Sequence, residues 1–291
     1  MSTLNRPIFT MLVGIPGSGK STFAKTMITK YAKHITSDGI RKELWGDESS
    51  QQDNNKVFSV MHERTIEALK NGFDVIYDAT NINRKDRKYI LDKIPAYVAK
   101  HCIIVWAPFH ECIYRDRQRE RTVGKEVIDR ILRRFEAPFY DEGFELIRVH
   151  IAAEYDDKEY CAKAIKALEI PHDNPHHSVG VAEHCMLCGQ NLLFTDAPAV
   201  VKSAGYIHDI GKAYTKTFIN KKGETTDIAH YYDHQAVGAY MSYGLPGNDI
   251  TLAWLISSHM APFINQKYYN SLDPLYKKWI TALHEADRAA H

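Results

Sequence analysis

Gly14-Ile15-Pro16-Gly17-Ser18-Gly19-Lys20-Ser21 follows a short apolar run from Pro7 to Leu12 and opens a stretch of helical spacing from Ser21 to Lys33. A strand, a glycine-rich turn and a helix in that order form the setting in which such a turn binds phosphate. Its glycines let backbone N–H groups converge on phosphate oxygens, Lys20 offsets β/γ charge, and Ser21 offers an oxygen to Mg²⁺. Gly14, Gly17, Ser18, Gly19, Lys20, Ser21 and Thr22 are therefore the candidate residues for holding ATP with Mg²⁺. A chance Gly/Ser/Lys turn is the competing reading, and the flanking strand and helix disfavour it.

Outward from this loop, the first half alternates between strand and helix. A second short strand fits His34-Ile35-Thr36-Ser37, and Val57 to Lys70 forms an amphipathic helix that Asn71-Gly72 stops. Phe73 to Asp78 and Cys102 to Trp106 read as buried strands, Arg115 to Phe139 as a basic helical stretch, and Leu146 to Ile151 as a last strand. This alternation predicts an α/β domain with a mostly parallel sheet covered by helices on both faces. After a helix at Asp156–Leu168, the prolines of Pro171-His172-Asp173-Asn174-Pro175 mark a linker. The expected domains are thus 1–170 and 171–291. Beyond the linker the pattern is all-α, with helices at Val179–Leu193, Pro198–Ile207, His234–Tyr243, Ile250–Ser258 and Tyr276–Ala290. A polar loop or small hairpin fits Thr215–Asp227.

The chain has 291 residues, 44% of them hydrophobic and 25% charged, with a net charge of +1, as in ordinary globular proteins. No apolar run approaches the ~20 residues that span a bilayer. The N-terminus lacks the apolar region of a signal peptide, so a cytoplasmic setting with no membrane partner is expected. Five cysteines, an odd number, point to free thiols in such a setting. The first 170 residues carry a slight excess of basic groups and the remainder a slight excess of acidic ones. Most of the 15 histidines fall in the second half, which suits a metal site there.

His208-Asp209-Ile210-Gly211-Lys212 ends an apolar helix. Adjacent His and Asp can both reach one cation, Asp209 can bridge two, and Lys212 one turn on can meet a phosphate oxygen. Alone the pair would more often be a hydrogen-bonded one. Here His184, His234, His259 and Asp287 accompany it, each on or at the end of an expected helix, so a bundle could turn all of them inward. His176 or His177 could stand in for His184, or bind substrate phosphate. His230 could support His234, and His172, His284 and His291 read as surface residues. Cys185 and Cys188 have CxxC spacing without a second pair, and read as buried thiols.

Asp38 and Arg41 follow the second strand, at the sheet edge where acceptors bind in such folds. Asp38 could take a proton from an acceptor hydroxyl, and Arg41 could hold an acceptor phosphate. Equally, Asp38 could cap a helix and Arg41 could lie on the surface. Arg117 and Arg121, spaced i,i+4, could converge on one anion from a shared helix face or simply be solvated.

Ser37-Asp38-Gly39-Ile40-Arg41 and Asp78-Ala79-Thr80-Asn81-Ile82-Asn83-Arg84 resemble the motifs of phage-type polynucleotide 5′-kinases and their P-loop relatives, over about residues 8–148. The resemblance implies Asp38 as general base, Arg41 as acceptor contact, and Arg115 to Arg121 as a lid whose arginines, Arg121 included, stabilise the transferred phosphoryl group with Lys20. Residues 176–291 resemble the HD superfamily of metal-dependent phosphohydrolases. By that resemblance His184, His208, Asp209 and Asp287 hold one divalent ion, His234 and His259 complete a second, and Asp209 and Lys212 act on the phosphoester. Such nitrogen-rich ligation favours Mn, Fe, Co, Ni or Zn over Mg.

Together the two resemblances imply an enzyme healing nucleic-acid ends, RNA in preference to DNA. It would phosphorylate 5′-hydroxyls and remove 3′-phosphate or 2′,3′-cyclic phosphate upstream of an RNA ligase, in the host cytoplasm if the chain is phage-encoded. HD pairing departs from the phosphatase fold that usually accompanies such kinases. Because the kinase motifs also occur in P-loop kinases of small molecules, the alternative is a nucleoside or nucleotide kinase fused to an HD nucleotidase. A nucleotide-sensing regulator is a third, non-catalytic reading.

Overall fold

The alternation of apolar strands and helices in the first half builds a single five-stranded sheet. In the computed structural model, which describes residues 6–175 and 178–290, the elements run in chain order as β1 (Ile8–Val13), α1 (Lys20–Met27), β2 (Ala32–Thr36), α2 (Ser37–Trp45), α3 (Asn54–Lys70), β3 (Asp74–Asp78), α4 (Arg84–Leu91), β4 (Ala99–Trp106), α5 (Phe109–Arg117), α6 (Lys125–Leu132) and β5 (Leu146–Ile151). The strands pair in parallel in the order β2-β3-β1-β4-β5. β1 lies at the centre and is buried at all but its first residue, as expected for a strand covered on both faces. Leu12, Ala24 and Ile76 form a core between α1 and the sheet, with Phe23, Met27 and Ile103 packed around it.

Three expected elements differ. α1 stops at Met27, not Lys33, because Ala32–Thr36 is taken up in pairing with Asp74–Asp78; the second strand therefore begins earlier and ends before Ser37. The basic stretch from Arg115 to Phe139 is not one helix. Asp116, 1% exposed, accepts from the backbone N–H groups of Val123 (2.9 Å) and Gly124 (2.9 Å), and so folds the chain back between α5 and α6.

The chain divides into two units. One runs to Ile128 and takes in Pro138–Ala153; the other holds Asp129–Ala137 and the chain from Glu154 onward. In the second unit α7 (Asp157–Lys166) precedes the expected linker, yet it packs there through Ala164 against Ile210 and Leu245. α8 (Val181–Leu193), α9 (Ala199–Ile207) and α10 (Lys212–Thr215) follow, then β6 (Thr217–Ile219) and β7 (Thr225–His230) as an antiparallel hairpin. After it come α11 (His234–Ser242), α12 (Ile250–Ser258), α13 (Ala261–Ile264), α14 (Gln266–Ser271) and α15 (Pro274–Arg288).

Small residues set the helix spacing in this unit. A Cβ added at Gly205 would lie 2.9 Å from Gly189 Cα, so α8 and α9 approach backbone to backbone. A Cβ at Gly211 would lie 2.1 Å from His234 O, which seats the end of the His208–Asp209 segment directly on α11.

In the first unit, a buried ion pair fixes the loop after β3. Arg87, wholly buried on α4, meets Glu142 through two bonds of 2.8 and 2.7 Å, and its Nη1 donates to Asn81 O and Ile82 O. Both side chains are fully desolvated, so removing one partner leaves a buried unpaired charge. Glu142→Ala is expected to lower unfolding free energy by about 3–5 kcal/mol in urea titration. A loss below about 1 kcal/mol would contradict that role.

Candidate functional site

The turn after β1 is shaped by two left-handed glycines, Gly17 (φ 81°) and Gly19 (φ 98°). At Gly17 a Cβ would also meet Cys112 O at 2.2 Å, so no other residue fits. α1 begins directly after Gly19 with no side-chain cap, leaving its first N–H groups for an anion. Ser18 Oγ is buried and has no hydrogen-bond partner, while Ser21 and Thr22 are exposed, a donor set that fits phosphate oxygens and Mg²⁺. Lys20 Nζ donates to Gly14 O (2.7 Å) and Ile15 O (2.9 Å), folded back over the loop. Burial pushes Lys20 down to about 8, opposed chiefly by the charge of Asp78.

Asp38 lies in the first turn of α2, but it is not that helix's cap. Thr36 takes this part, its hydroxyl oxygen accepting from Gly39 N at 2.8 Å. Nor is Arg41 on the surface. It is 9% exposed, donates to Asp38 Oδ1 (2.8 Å) and Asn54 Oδ1 (3.0 Å), and keeps a buried Nε without a partner. The Asp38 side chain is 62% exposed. A carboxylate open to an acceptor, beside a guanidinium with an unused donor, suits a hydroxyl next to a phosphate.

The arginines arrange themselves differently from the i,i+4 expectation. Arg117 ends α5, whereas Arg121 lies in the turn beyond it, so the two share no helix face, and the charge of Arg121 acts on Asp47. Arg115 lies over the phosphate turn instead, with Nη1 3.5 Å from the Cβ position of Gly19 and Nη2 donating to Ala152 O at 2.7 Å. Arg119 is the arginine whose charge reaches Lys20. Asp78, buried at the end of β3, is a further acidic group beside Lys20. Its signal in the sequence is a carboxylate closing an apolar strand.

In the second unit α8, α9, α11, α12 and α15 bring His184, His208, Asp209, His234, His259 and Asp287 together. Their ligand atoms form overlapping groups within 4.8 Å, one of which also takes in Cys185. His184 Nε2 and His208 Nε2 lie 2.9 and 3.3 Å from Asp287 Oδ1. His208 Nε2 is 3.4 Å from Asp209 Oδ2, and His234 Nε2 is 3.2 Å from Asp209 Oδ1. Asp209 thus stands between the two groups.

Each imidazole is oriented by a backbone carbonyl. Nδ1 of His184, His208, His234 and His259 faces Ala290 O (2.8 Å), Gly205 O (3.0 Å), Tyr231 O (2.9 Å) and Ile256 O (2.7 Å). A carbonyl only accepts, so each Nδ1 carries a hydrogen and each Nε2 is turned inward. Two facts suit a cation in this set: His208 Nε2 is buried without a hydrogen-bond partner, and His234 Nε2 stands 3.2 Å from His259 Nε2, two ring nitrogens facing each other. Divalent ions held here would activate water and screen phosphoryl charge.

Electrostatics agree. Burial opposes the charge of Asp209, but Lys212 (Nζ–Oδ2 2.7 Å) and His208 hold its carboxyl well below the usual range. Asp287 is likewise lowered, its desolvation outweighed by the adjacent imidazoles of His184 and His208. Burial pushes His259 down to about 3, and the Cys185 thiol up to about 12.

Among the ambiguous histidines, His176, His177 and His291 lie outside the described residues. His172 is not a surface residue but 3% exposed, and burial lowers it to about 4. His284 is half-buried against the Phe263 ring. His230 stacks on Tyr232 and faces Thr226 Oγ1 at 3.3 Å. Cys185 and Cys188 are buried free thiols, as expected.

Comparison with known proteins agrees with both halves. Residues 9–138 match the family described as AAA domain, and residues 176–286 match the HD domain family. The chain therefore carries a P-loop kinase-type domain followed by an HD domain. It is 29% identical over 145 residues to the L-seryl-tRNA(Sec) kinase of Methanococcus maripaludis, covering 44% of this chain and 52% of that protein. The chain thus spans about half the length of that curated relative.

Similar solved structures include a chain of the Pnkp1/Rnl/Hen1 complex (28% identity, TM-score 0.35, 41% of this chain and 42% of that chain). Another belongs to the Pnkp1/Rnl/Hen1 RNA repair complex (25%, 0.42, 46% and 45%). A third is a gluconokinase from Sinorhizobium meliloti 1021 (17%, 0.37, 52% and 86%). Among the described residues no helix is long and apolar enough to cross a membrane.

Two outcomes follow from these geometries. Lys20, lowered to about 8 by burial, is charged below that pH and loses its proton above it. Bound phosphates favour the charged form, so ATP affinity should fall as pH rises past 8, by up to about tenfold per unit. Calorimetry showing a flat affinity from pH 7 to 10 would contradict this. In the HD domain, Mn²⁺ at a hundredfold excess over its Kd should stabilise the protein by about 2.7 kcal/mol. Asp209→Asn should lose most of that gain; an equal gain in the variant would exclude Asp209 as a ligand.

Proposed function

We propose that the chain heals nucleic-acid ends, phosphorylating 5′-hydroxyls with ATP and Mg²⁺ in its P-loop domain and removing 3′-phosphate or 2′,3′-cyclic phosphate in its HD domain. The observation that carries this reading is the coexistence of two different phosphate chemistries in one chain. One is an exposed Asp38 paired with buried Arg41 near a phosphate loop, and the other is a His/Asp cluster with Lys212 beside Asp209.

On the kinase side Asp38 accepts the proton of the 5′-hydroxyl as that oxygen attacks the γ-phosphorus, and the bond to ADP breaks. Arg41 holds the acceptor phosphate. Lys20, Arg115, Arg119 and Arg121 stabilise the transferred charge, and Arg117 contributes to ATP binding. Ser21 holds Mg²⁺. The similarity to a kinase named for seryl-tRNA supports an acceptor attached to RNA, and RNA ends are the proposed substrates. On the HD side, His184, His208, Asp209, His234, His259 and Asp287 hold the metal, and Lys212 meets the phosphoryl oxygens. The products, a 5′-phosphate and a 3′-hydroxyl, are the pair that a ligase joins, so an RNA ligase is the proposed downstream partner.

Separate substitutions test the division of labour. Asp38→Ala should cut transfer of labelled phosphate from ATP to 5′-OH RNA by roughly 10²–10⁴-fold while 3′-phosphate release continues. His208→Ala should do the reverse. Phosphorylation of free nucleosides but not of oligonucleotides would replace this reading with a nucleoside kinase fused to a nucleotidase.

A further inference from the structure

His172 belongs to no recognised motif and sits in the proline-punctuated segment expected to be a linker. The structure buries it beside the metal-ligand cluster, its ring 5.5 Å from that of His184. Its Nδ1 lies 2.6 Å from Val179 O; the carbonyl can only accept, so Nδ1 carries the hydrogen and Nε2 keeps a lone pair. That lone pair meets Lys212 Nζ at 3.2 Å. A lysine ammonium has three donors and no acceptor, so Lys212 is the donor. Its ammonium also forms an ion pair with Asp209 Oδ2 at 2.7 Å. Tyr231 closes the cage, with its ring centroid 5.3 Å from Nζ and its hydroxyl donating to His172 O. One Lys212 N–H is thereby committed to His172 while Asp209 anchors the charge, and among the described residues no other side chain accepts a hydrogen bond from Nζ.

We propose that His172 is a positioning residue that, with Asp209, fixes the Lys212 ammonium so that an N–H not taken by His172 points at a phosphoryl oxygen bound at the His/Asp cluster. This rests on reading that cluster as a phosphohydrolase site. Without His172 the four-carbon stem of Lys212 regains its rotamers, and the ion pair with Asp209 alone leaves the direction of the N–H groups unset. The imidazole thereby acts on the reaction through the lysine, and neither binds metal nor transfers a proton.

The test uses the full-length, Mn²⁺-loaded protein and 3′-phosphate RNA. His172→Leu should lower kcat roughly 10- to 100-fold with little change in KM. Bound metal and 5′-kinase activity should stay unchanged. His172→Gln, whose side-chain oxygen can accept from Lys212, should keep most of the rate. Lys212→Met combined with His172→Leu should be no slower than Lys212→Met alone, since residues acting as one unit are not additive. Additive losses, or metal lost in His172→Leu, would overturn the proposal.

A second measurement is independent of turnover. Imidazole ¹⁵N spectra should show His172 with Nδ1 protonated, and Lys212→Met should move its Nε2 resonance. An unmoved resonance overturns the contact even if hydrolysis is normal. Absent hydrolysis in the wild type with the resonance shift intact would instead sink the phosphohydrolase reading.

Discussion

Four backbone carbonyls, each accepting from an imidazole Nδ1, are the constraint on which the second unit depends. They fix the rings of His184, His208, His234 and His259 so that every Nε2 turns toward Asp209 or Asp287. A histidine free to rotate offers either nitrogen. Once Nδ1 is committed to a carbonyl, the other nitrogen is committed to the interior. The backbone approaches at Gly189–Gly205 and at Gly211–His234 then bring the helices close enough for those nitrogens to meet. The cluster is therefore a product of helix packing, with the small residues as much a part of it as the ligands.

The P-loop unit solves a related problem by burial. Lys20 is held against carbonyls of its own loop, and Arg41 is pinned between Asp38 and Asn54. Desolvation makes both costly unless anions arrive, which predisposes the site toward polyphosphate. The Arg87–Glu142 pair supports the same edge of the sheet by holding the carbonyls of Asn81 and Ile82. In each unit a buried charge network does the orienting while a few polar atoms, Ser18 Oγ and His208 Nε2 among them, are left for a ligand.

Much of this could be read from the chain, because both motifs depend on local spacing. The phosphate turn needs its glycines at fixed spacing, and the clustered His and Asp residues sit on or at the ends of clearly periodic helices. What escaped was non-local. The break between α5 and α6 comes from one buried carboxylate, Asp116, reaching forward to Val123 and Gly124, and it separates Arg121 from Arg117. Helical periodicity carries no trace of that reach. The capping oxygen at α2 belongs to Thr36, one of several polar residues that could have served. His172 looked like a linker residue because its partners, Val179 and Lys212, are distant or featureless in sequence. Burial of a polar residue by such partners is visible only once the helices are packed.

Anomalous X-ray diffraction from crystals grown with Mn²⁺ tests the central claim most directly, because it locates cations without reference to activity. The account places anomalous density within coordinating distance of His208 Nε2 and Asp287, and a second peak about 4 Å away near His234 and His259, with Asp209 between them. Density elsewhere, or imidazoles turned so that Nδ1 faces the ion, would contradict it.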